Sequence, residues 1–353
     1  MVARKALAGV LLVGAGAGAG AAVAVAVARA SRRRAGRAPA AADVARLTGV
    51  ADLLRLPDGV STTVTTSDGA SLAVTIAGDP DGPTVVMAHG WTEVRGLWSL
   101  VAQRLIATGH RVVVYDQRGH GESTMGSGPV TMSRLGEDLG AVLVSLTLHE
   151  AVLVGHSMGG MSVMALIGDA PDLVAGHAAA VVLVSTAAHG LFIPNARVND
   201  AAARLAGSGT VTRVMAGRAG PRLARGGLGR SPAPVHVQAT ATMFANAAGR
   251  VRGECVTAMA AMDLRAGLAL CPVPATVVVG SRDQLTPPRL AKVIVARIAG
   301  ARLIVIPDAG HMIPFEAPDR LAEIITEAGA EAGAGAGGPV VAVPVGHGNR
   351  SGT

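Results

Sequence analysis

Ala151-Val152-Leu153-Val154-Gly155-His156-Ser157-Met158-Gly159-Gly160 is a short apolar run that ends in Gly-x-Ser-x-Gly, and its reading decides the fold. An apolar strand that feeds this pentapeptide and is followed by a helical pattern forms a sharp turn with the serine at its tip. Side chains at the flanking positions would collide in such a turn, so Gly155 and Gly159 answer a steric need. With 47 glycines in the chain the pentapeptide alone is a weak signal, and its context carries the reading. Ala151–Val154 reads as a buried strand, while Met161, Met164, Ala165 and Ile167 continue on helical spacing. Ser157 is thereby expected at the carboxyl edge of a parallel sheet, above a helix N-terminus, where it can act as a nucleophile.

Working outward, short apolar runs alternate with longer helical segments from about residue 60. Strands are expected at Thr63–Val64, Leu72–Ile76, Thr84–Ala88, Arg111–Tyr115, Ala151–Val154, Ala180–Val184, Ala275–Val279 and Arg302–Ile306. From Thr84 onward the rhythm is that of β-α units, which implies a mostly parallel eight-stranded sheet with helices on both faces. The first two strands, joined through Ser67-Asp68-Gly69, read as an antiparallel edge hairpin. One gap breaks the rhythm, from Ala187 to Cys271, and a stretch that long needs structure of its own. A helical cap inserted over the strand ends is expected there, within a catalytic domain spanning 41–326.

Half of the 353 residues are apolar but only six are aromatic, so the core must consist of Ala, Val, Leu, Ile and Met. The net charge of +7 resides in the first 42 residues, where Arg4, Lys5, Arg29, Arg32, Arg33, Arg34 and Arg37 meet no acid; the remaining body is balanced. A nucleic-acid-binding body would be basic in its folded part, and that class is excluded. The cap segment holds ten arginines against Asp200, Glu254 and Asp263. Such a surface would suit anionic lipid headgroups or an acyl-CoA, with Leu191-Phe192-Ile193 and Met243-Phe244 as apolar contacts; the plainer alternative is a solvated basic face. Cys255 and Cys271 define no disulfide framework.

Ala6–Ala28 is an uncharged run long enough to cross a bilayer. Residues 1–40 are expected to be an uncleaved membrane anchor with a basic flank, which makes the protein membrane-associated through a transmembrane helix. The alternative is a cleaved signal ending near Ala28-Arg29-Ala30, which would make it secreted. The alternating glycines at 14, 16, 18 and 20 miss the dinucleotide-loop spacing and follow no strand. Residues 327–353 are Ala/Gly-rich and are expected to form a disordered tail.

Four motifs together give the resemblance: His89-Gly90-Trp91, Asp116-Gln117-Arg118-Gly119-His120-Gly121-Glu122-Ser123, the pentapeptide around Ser157, and Gly310-His311. In this order the chain resembles an α/β-hydrolase from about residue 58 to 326. The family's chain order of Ser, acid, His then implies Ser157 as nucleophile, Asp283 from Gly280-Ser281-Arg282-Asp283 as the acid, and His311 as the base. Asp308 reads instead as a turn residue, and His156 as packing beneath the turn. The resemblance also implies an oxyanion hole from the backbone N–H groups of Trp91 and Met158, with His89 shaping the loop. Asp116, Arg118 and His120 are expected to brace a glycine-hinged turn by hydrogen bonds to backbone.

A serine at this turn argues against the epoxide hydrolase and haloalkane dehalogenase branches, which need a carboxylate nucleophile. Gly155-His156-Ser157-Met158-Gly159-Gly160 resembles the turn of esterases and monoacylglycerol-lipase-like enzymes. The implied activity is hydrolysis of a small-molecule or lipid carboxylic ester with no metal or organic cofactor. C–C bond hydrolases, thioesterases and cofactor-free perhydrolases share the fold and stand as alternatives, as does a binding protein without turnover.

Overall fold

The computed structural model describes residues 49–192 and 195–333. Its strands are β1 (Gly59–Thr65), β2 (Ser71–Gly78), β3 (Thr84–Ala88), β4 (Arg111–Tyr115), β5 (Ala151–His156), β6 (Ala178–Val184), β7 (Ala275–Gly280) and β8 (Arg302–Ile306). They form one sheet in the order β1-β2-β4-β3-β5-β6-β7-β8, in which β2 runs antiparallel to both β1 and β4 and all other pairs are parallel. This is the α/β-hydrolase fold. β1 and β2 turn through Gly69 at φ +82°, a left-handed conformation that glycine adopts without a Cβ penalty.

Parallel strands covered on both faces need apolar residues at successive positions, and the central strands supply them. Val86, Val113, Leu153 and Val181 face one layer; Val85, Val112, Val152 and Val182 face the other. The first layer contains α2 (Met132–Ser145) and α3 (Met158–Asp169), and the second contains α1 (Ser99–Ala107) and α12 (Pro318–Gly333). α3 is buried along almost its whole length, from Met158 to Ile167, and is therefore apolar all round. A short α4 (Pro171–His177) leads into β6.

Between β6 and β7 lie α5 (Ala196–Ala206), α6 (Gly209–Ala216), α7 (Gly220–Ala224), α8 (Pro234–Asn246) and α9 (Gly249–Ala261). This segment reaches the loops at the carboxyl ends of the strands. Trp91 Nε1 donates to Arg252 O (3.2 Å), Arg230 N donates to Asp308 O (2.9 Å), and His311 N donates to Gly227 O (2.8 Å). α10 (Pro288–Val295) follows β7, and α11 (Ile313–Glu316) follows β8.

Several expectations need correction. The anchor at 6–28 lies outside the described residues, as do 1–48 generally. Among the described residues no helix is long and apolar enough to cross a membrane, and the placement of the protein at a membrane is withdrawn. Of the apolar residues assigned to such a contact, Met243 is buried and the Phe244 ring packs edge-on against Trp91 at 5.2 Å, while Ile193 lies outside the described residues. The folded body does not stop at 326, because α12 runs to Gly333 and buries Ala328. Its period was masked by the alanines and glycines that make the segment read as low complexity. Cys255 and Cys271 are both free.

Candidate active site

Ser157 occupies the turn between β5 and α3 with φ +52° and ψ −115°. A non-glycine residue held there is strained, and the surroundings over-determine it. Ser157 N donates to Val184 O (2.9 Å), and Thr186 Oγ1 donates to Ser157 O (2.7 Å). A Cβ on Gly155 would lie 2.5 Å from Gly160 N, and one on Gly159 would lie 2.6 Å from the Ala88 carbonyl carbon. Only glycine permits these two approaches. A Cβ on Gly90 would stand 3.0 Å from Ser157 Cβ, so the loop after β3 passes directly beside the serine.

Asp283 and His311 come together from the loops after β7 and β8. His311 Nδ1–H donates to Asp283 Oδ2 (2.9 Å), which leaves Nε2 with its lone pair free to accept a proton. Both side chains are almost fully buried. Asp283 Oδ1 accepts from Leu285 N (2.9 Å) and Thr286 N (2.8 Å), and Oδ2 accepts from Thr286 Oγ1 (2.8 Å). Burial opposes ionisation of this carboxyl, but the charge and hydrogen bond of His311 and the Thr286 donors prevail and hold its pKa at about 2. His311 is further held by Glu316, whose carboxylate accepts from Gly229 N (2.5 Å), Gly310 N (3.1 Å) and Met312 N (3.1 Å). Ser157 Oγ makes no hydrogen bond to protein among the described residues.

The loop after β3 is fixed at nearly every polar group. His89 Nδ1–H donates to Gly90 O (2.8 Å) while its Nε2 accepts from Gln117 N (2.9 Å), and Gln117 Nε2 donates to His89 O. Thr92, at φ +65°, donates its N–H to His120 Nε2 (3.2 Å) and its hydroxyl to Trp91 O (2.6 Å). Gly90 N donates to the buried Glu93 carboxylate. Met158 follows Ser157 directly as the first residue of α3, and Trp91 follows Gly90 in the loop that passes beside the serine. His156 packs under the turn, its ring 5.0 Å from that of His311.

The remaining expected residues are structural. Asp308 turns the chain at φ +59° and accepts from Arg282 Nε (2.8 Å). Asp116 accepts from Arg95 N (2.6 Å) and Glu122 N (3.0 Å). Arg118 corrects the expectation of backbone partners: it pairs with the buried Asp138 (2.5 Å) and the half-buried Asp68 (2.8 Å), which tie the turn to α2 and to the β1–β2 hairpin. Sequence reading missed Glu93, Thr286, Glu316 and Gln117. Only Thr286 left a signal, since a threonine three residues after an aspartate suits an Asx-type turn.

The sequence profile described as the alpha/beta hydrolase family matches residues 85–324, and the chain belongs to that family. It is 37% identical over 123 residues to a non-heme chloroperoxidase of Streptomyces lividans, covering 35% of this chain and 44% of the relative. It is 35% identical over 109 residues to a bifunctional esterase/perhydrolase of Acinetobacter calcoaceticus, covering 31% and 40% respectively. These matches span less than half the length of either curated relative. Among solved structures, a thermophilic esterase from Thermogutta terrifontis superposes with a TM-score of 0.64 at 28% identity, covering 78% of this chain and 99% of the esterase.

Proposed function

We propose that the protein is a serine hydrolase that cleaves carboxylic esters through an acyl-enzyme, with Ser157 as nucleophile, His311 as base and Asp283 as the residue that orients the base. The observation that carries this reading is the strained Ser157 at the β5–α3 turn, with the His311–Asp283 pair at 2.9 Å on the loops after β7 and β8 at the same edge of the sheet. A serine hydroxyl is a weak nucleophile near neutrality and needs such a base. His311 Nε2 takes the Ser157 proton as Oγ attacks the ester carbonyl carbon. The oxyanion is held by the N–H groups of Trp91 and Met158. His311 then protonates the leaving alcohol, and afterwards draws a proton from water as that water attacks the acyl carbon and releases Ser157. No metal is required by these steps.

The likeness to an esterase/perhydrolase favours a second reading, in which hydrogen peroxide replaces water at the acyl-enzyme and a peroxy acid leaves. The test is hydrolysis of p-nitrophenyl esters from acetate to palmitate by the full chain, with Ser157→Ala in parallel. Turnover that falls by at least about 10³-fold in the variant is the expected result. No turnover across the series, together with no labelling of Ser157 by a fluorophosphonate, overturns the proposal. Peroxy-acid formation on adding peroxide decides the second reading.

A further inference from the structure

Besides His311, three buried histidines lie in the loops of this site, and their partners assign them different charges. His89 donates from Nδ1 and accepts at Nε2 from Gln117 N, so it is neutral. His120 sits between Arg118 O at Nδ1 (3.1 Å) and Thr92 N at Nε2 (3.2 Å), and is neutral for the same reason. Burial accordingly holds the pKa of both below the ordinary value, that of His120 at about 4. His156 differs. Its Nδ1 faces Glu93 Oε2 (3.0 Å) and its Nε2 faces His311 O (2.9 Å). With Glu93 ionised, as its lowered pKa has it, both the carboxylate and the carbonyl can only accept, so both ring nitrogens carry protons.

We infer that Glu93 and His156 form a buried carboxylate–imidazolium pair that positions the catalytic loops around Ser157. The inference rests on the serine-hydrolase reading of this site. Glu93 is 6% exposed and His156 is fully buried. Through Gly90 N, Glu93 anchors the loop that carries Trp91 N–H. His156 immediately precedes Ser157 and ties the main chain of His311. One ion pair thus joins the three segments that must be in register. Three further titratable groups face it: His89 from the β3 loop, Asp283 from the β7 loop and His311 from the β8 loop. Burial disfavours both charges, but each partner outweighs it for the other, lowering Glu93 and raising His156.

The geometry separates charge from shape. In Glu93→Gln the new amide oxygen can still accept from Gly90 N–H or from His156. His156, facing no anion, keeps a single proton and can hold only one of its two acceptors. Both positions are positioning residues, because neither faces the reacting carbonyl in the proposed mechanism.

The test uses the full chain in two parallel measurements. The first is nitrogen-15 NMR of histidine-labelled protein, with the His156 resonance identified by its loss in the double variant Glu93→Gln/His156→Gln. Expected are two protonated ring nitrogens that do not titrate between about pH 6 and pH 9; a singly protonated or titrating His156 overturns the inference. The second is ester kinetics. Glu93→Gln is expected to lower kcat by roughly 10–100-fold with KM within about 2-fold, as befits loosened transition-state contacts. The double variant should melt above His156→Gln alone, which strands a buried carboxylate. Parental kcat in Glu93→Gln, or a loss that only tracks the folded fraction, overturns the inference. A parent that neither turns over esters nor labels at Ser157 sinks the serine-hydrolase reading instead, and the NMR result still decides the pair.

Discussion

Replacing Arg252 by methionine removes a side chain that joins four helices of the β6–β7 segment. Arg252, on α9, is fully buried and, among the described residues, pairs with no carboxylate. Its donors go to Ala206 O (2.8 Å), Phe244 O (3.1 Å), Ala247 O (2.6 Å) and Thr212 Oγ1 (2.6 Å). Three of these acceptors are carbonyls at the ends of α5 and α8, where the helix has no donor of its own left to offer. Methionine fills similar space and orphans all four. At about 1 kcal/mol per unsatisfied acceptor the loss is about 4 kcal/mol. Relief from burying a guanidinium offsets roughly 1–2 kcal/mol, which leaves a net destabilisation of about 2–3 kcal/mol. For a domain of this size that corresponds to a melting temperature lower by roughly 5–10 °C. Thermal unfolding followed by far-ultraviolet circular dichroism measures it, with Arg252→Lys expected in between because an ammonium serves at most three acceptors. The main-chain oxygen of Arg252 also accepts from Trp91 Nε1, and the Phe244 ring packs on Trp91, so KM is expected to rise in the methionine variant. A melting temperature within about 2 °C of the parent would refute the reasoning.

Gly159→Ala is expected to cost about 3 kcal/mol or to prevent folding, because its Cβ meets the main chain of β3 rather than a movable side chain. Gly176→Ala, where a Cβ meets nothing within 4 Å, is the control and should be neutral or stabilising in urea titrations. Asp283 contributes a pH-dependent increment to stability. Its folded pKa of about 2 lies below the ordinary 3.8, so the unfolded chain binds the proton first as pH falls. The increment, about 2 kcal/mol, is complete above about pH 4 and lost by about pH 2. Urea titrations across that window should show a steeper acid loss in the parent than in Asp283→Asn, and equal slopes would contradict it.

The sheet was legible because its strands are fully covered. Runs such as Val85-Val86-Met87 and Val277-Val278-Val279 have no solvent face, so burial on both sides writes a continuous apolar signal into the sequence. Ser157 and its glycines were legible because a strained turn permits few residue types. The positions of Asp283 and His311 followed from strand ends and family order. By contrast, Glu93, Glu316 and Gln117 act on groups far away in sequence: Glu93 on the His156 ring, Glu316 on Gly229 N and Gln117 on His89 O. Glu316 is six residues from Gly310 but 87 from Gly229, and nothing local to either position announces the meeting. The C-terminal end of α12 was lost for the opposite reason, since Ala and Gly carry too little contrast to mark a buried face.

The buried arginines and histidines divide by what lies opposite them rather than by how deeply they sit. Arg118 faces two carboxylates, Arg252 hydrogen-bonds carbonyls and a hydroxyl, His89 and His120 each face one donor and one acceptor, and His156 faces two acceptors. All five are buried, so depth alone would neutralise the histidines alike. The partner set makes His156 the exception, and it sits one residue before the nucleophile. A neutral histidine there could donate to Glu93 or to the His311 main chain through its single proton, but not to both. The requirement to hold both at once is what a charge at position 156 accomplishes, and Glu93 is the counter-ion that makes that charge tolerable in the interior.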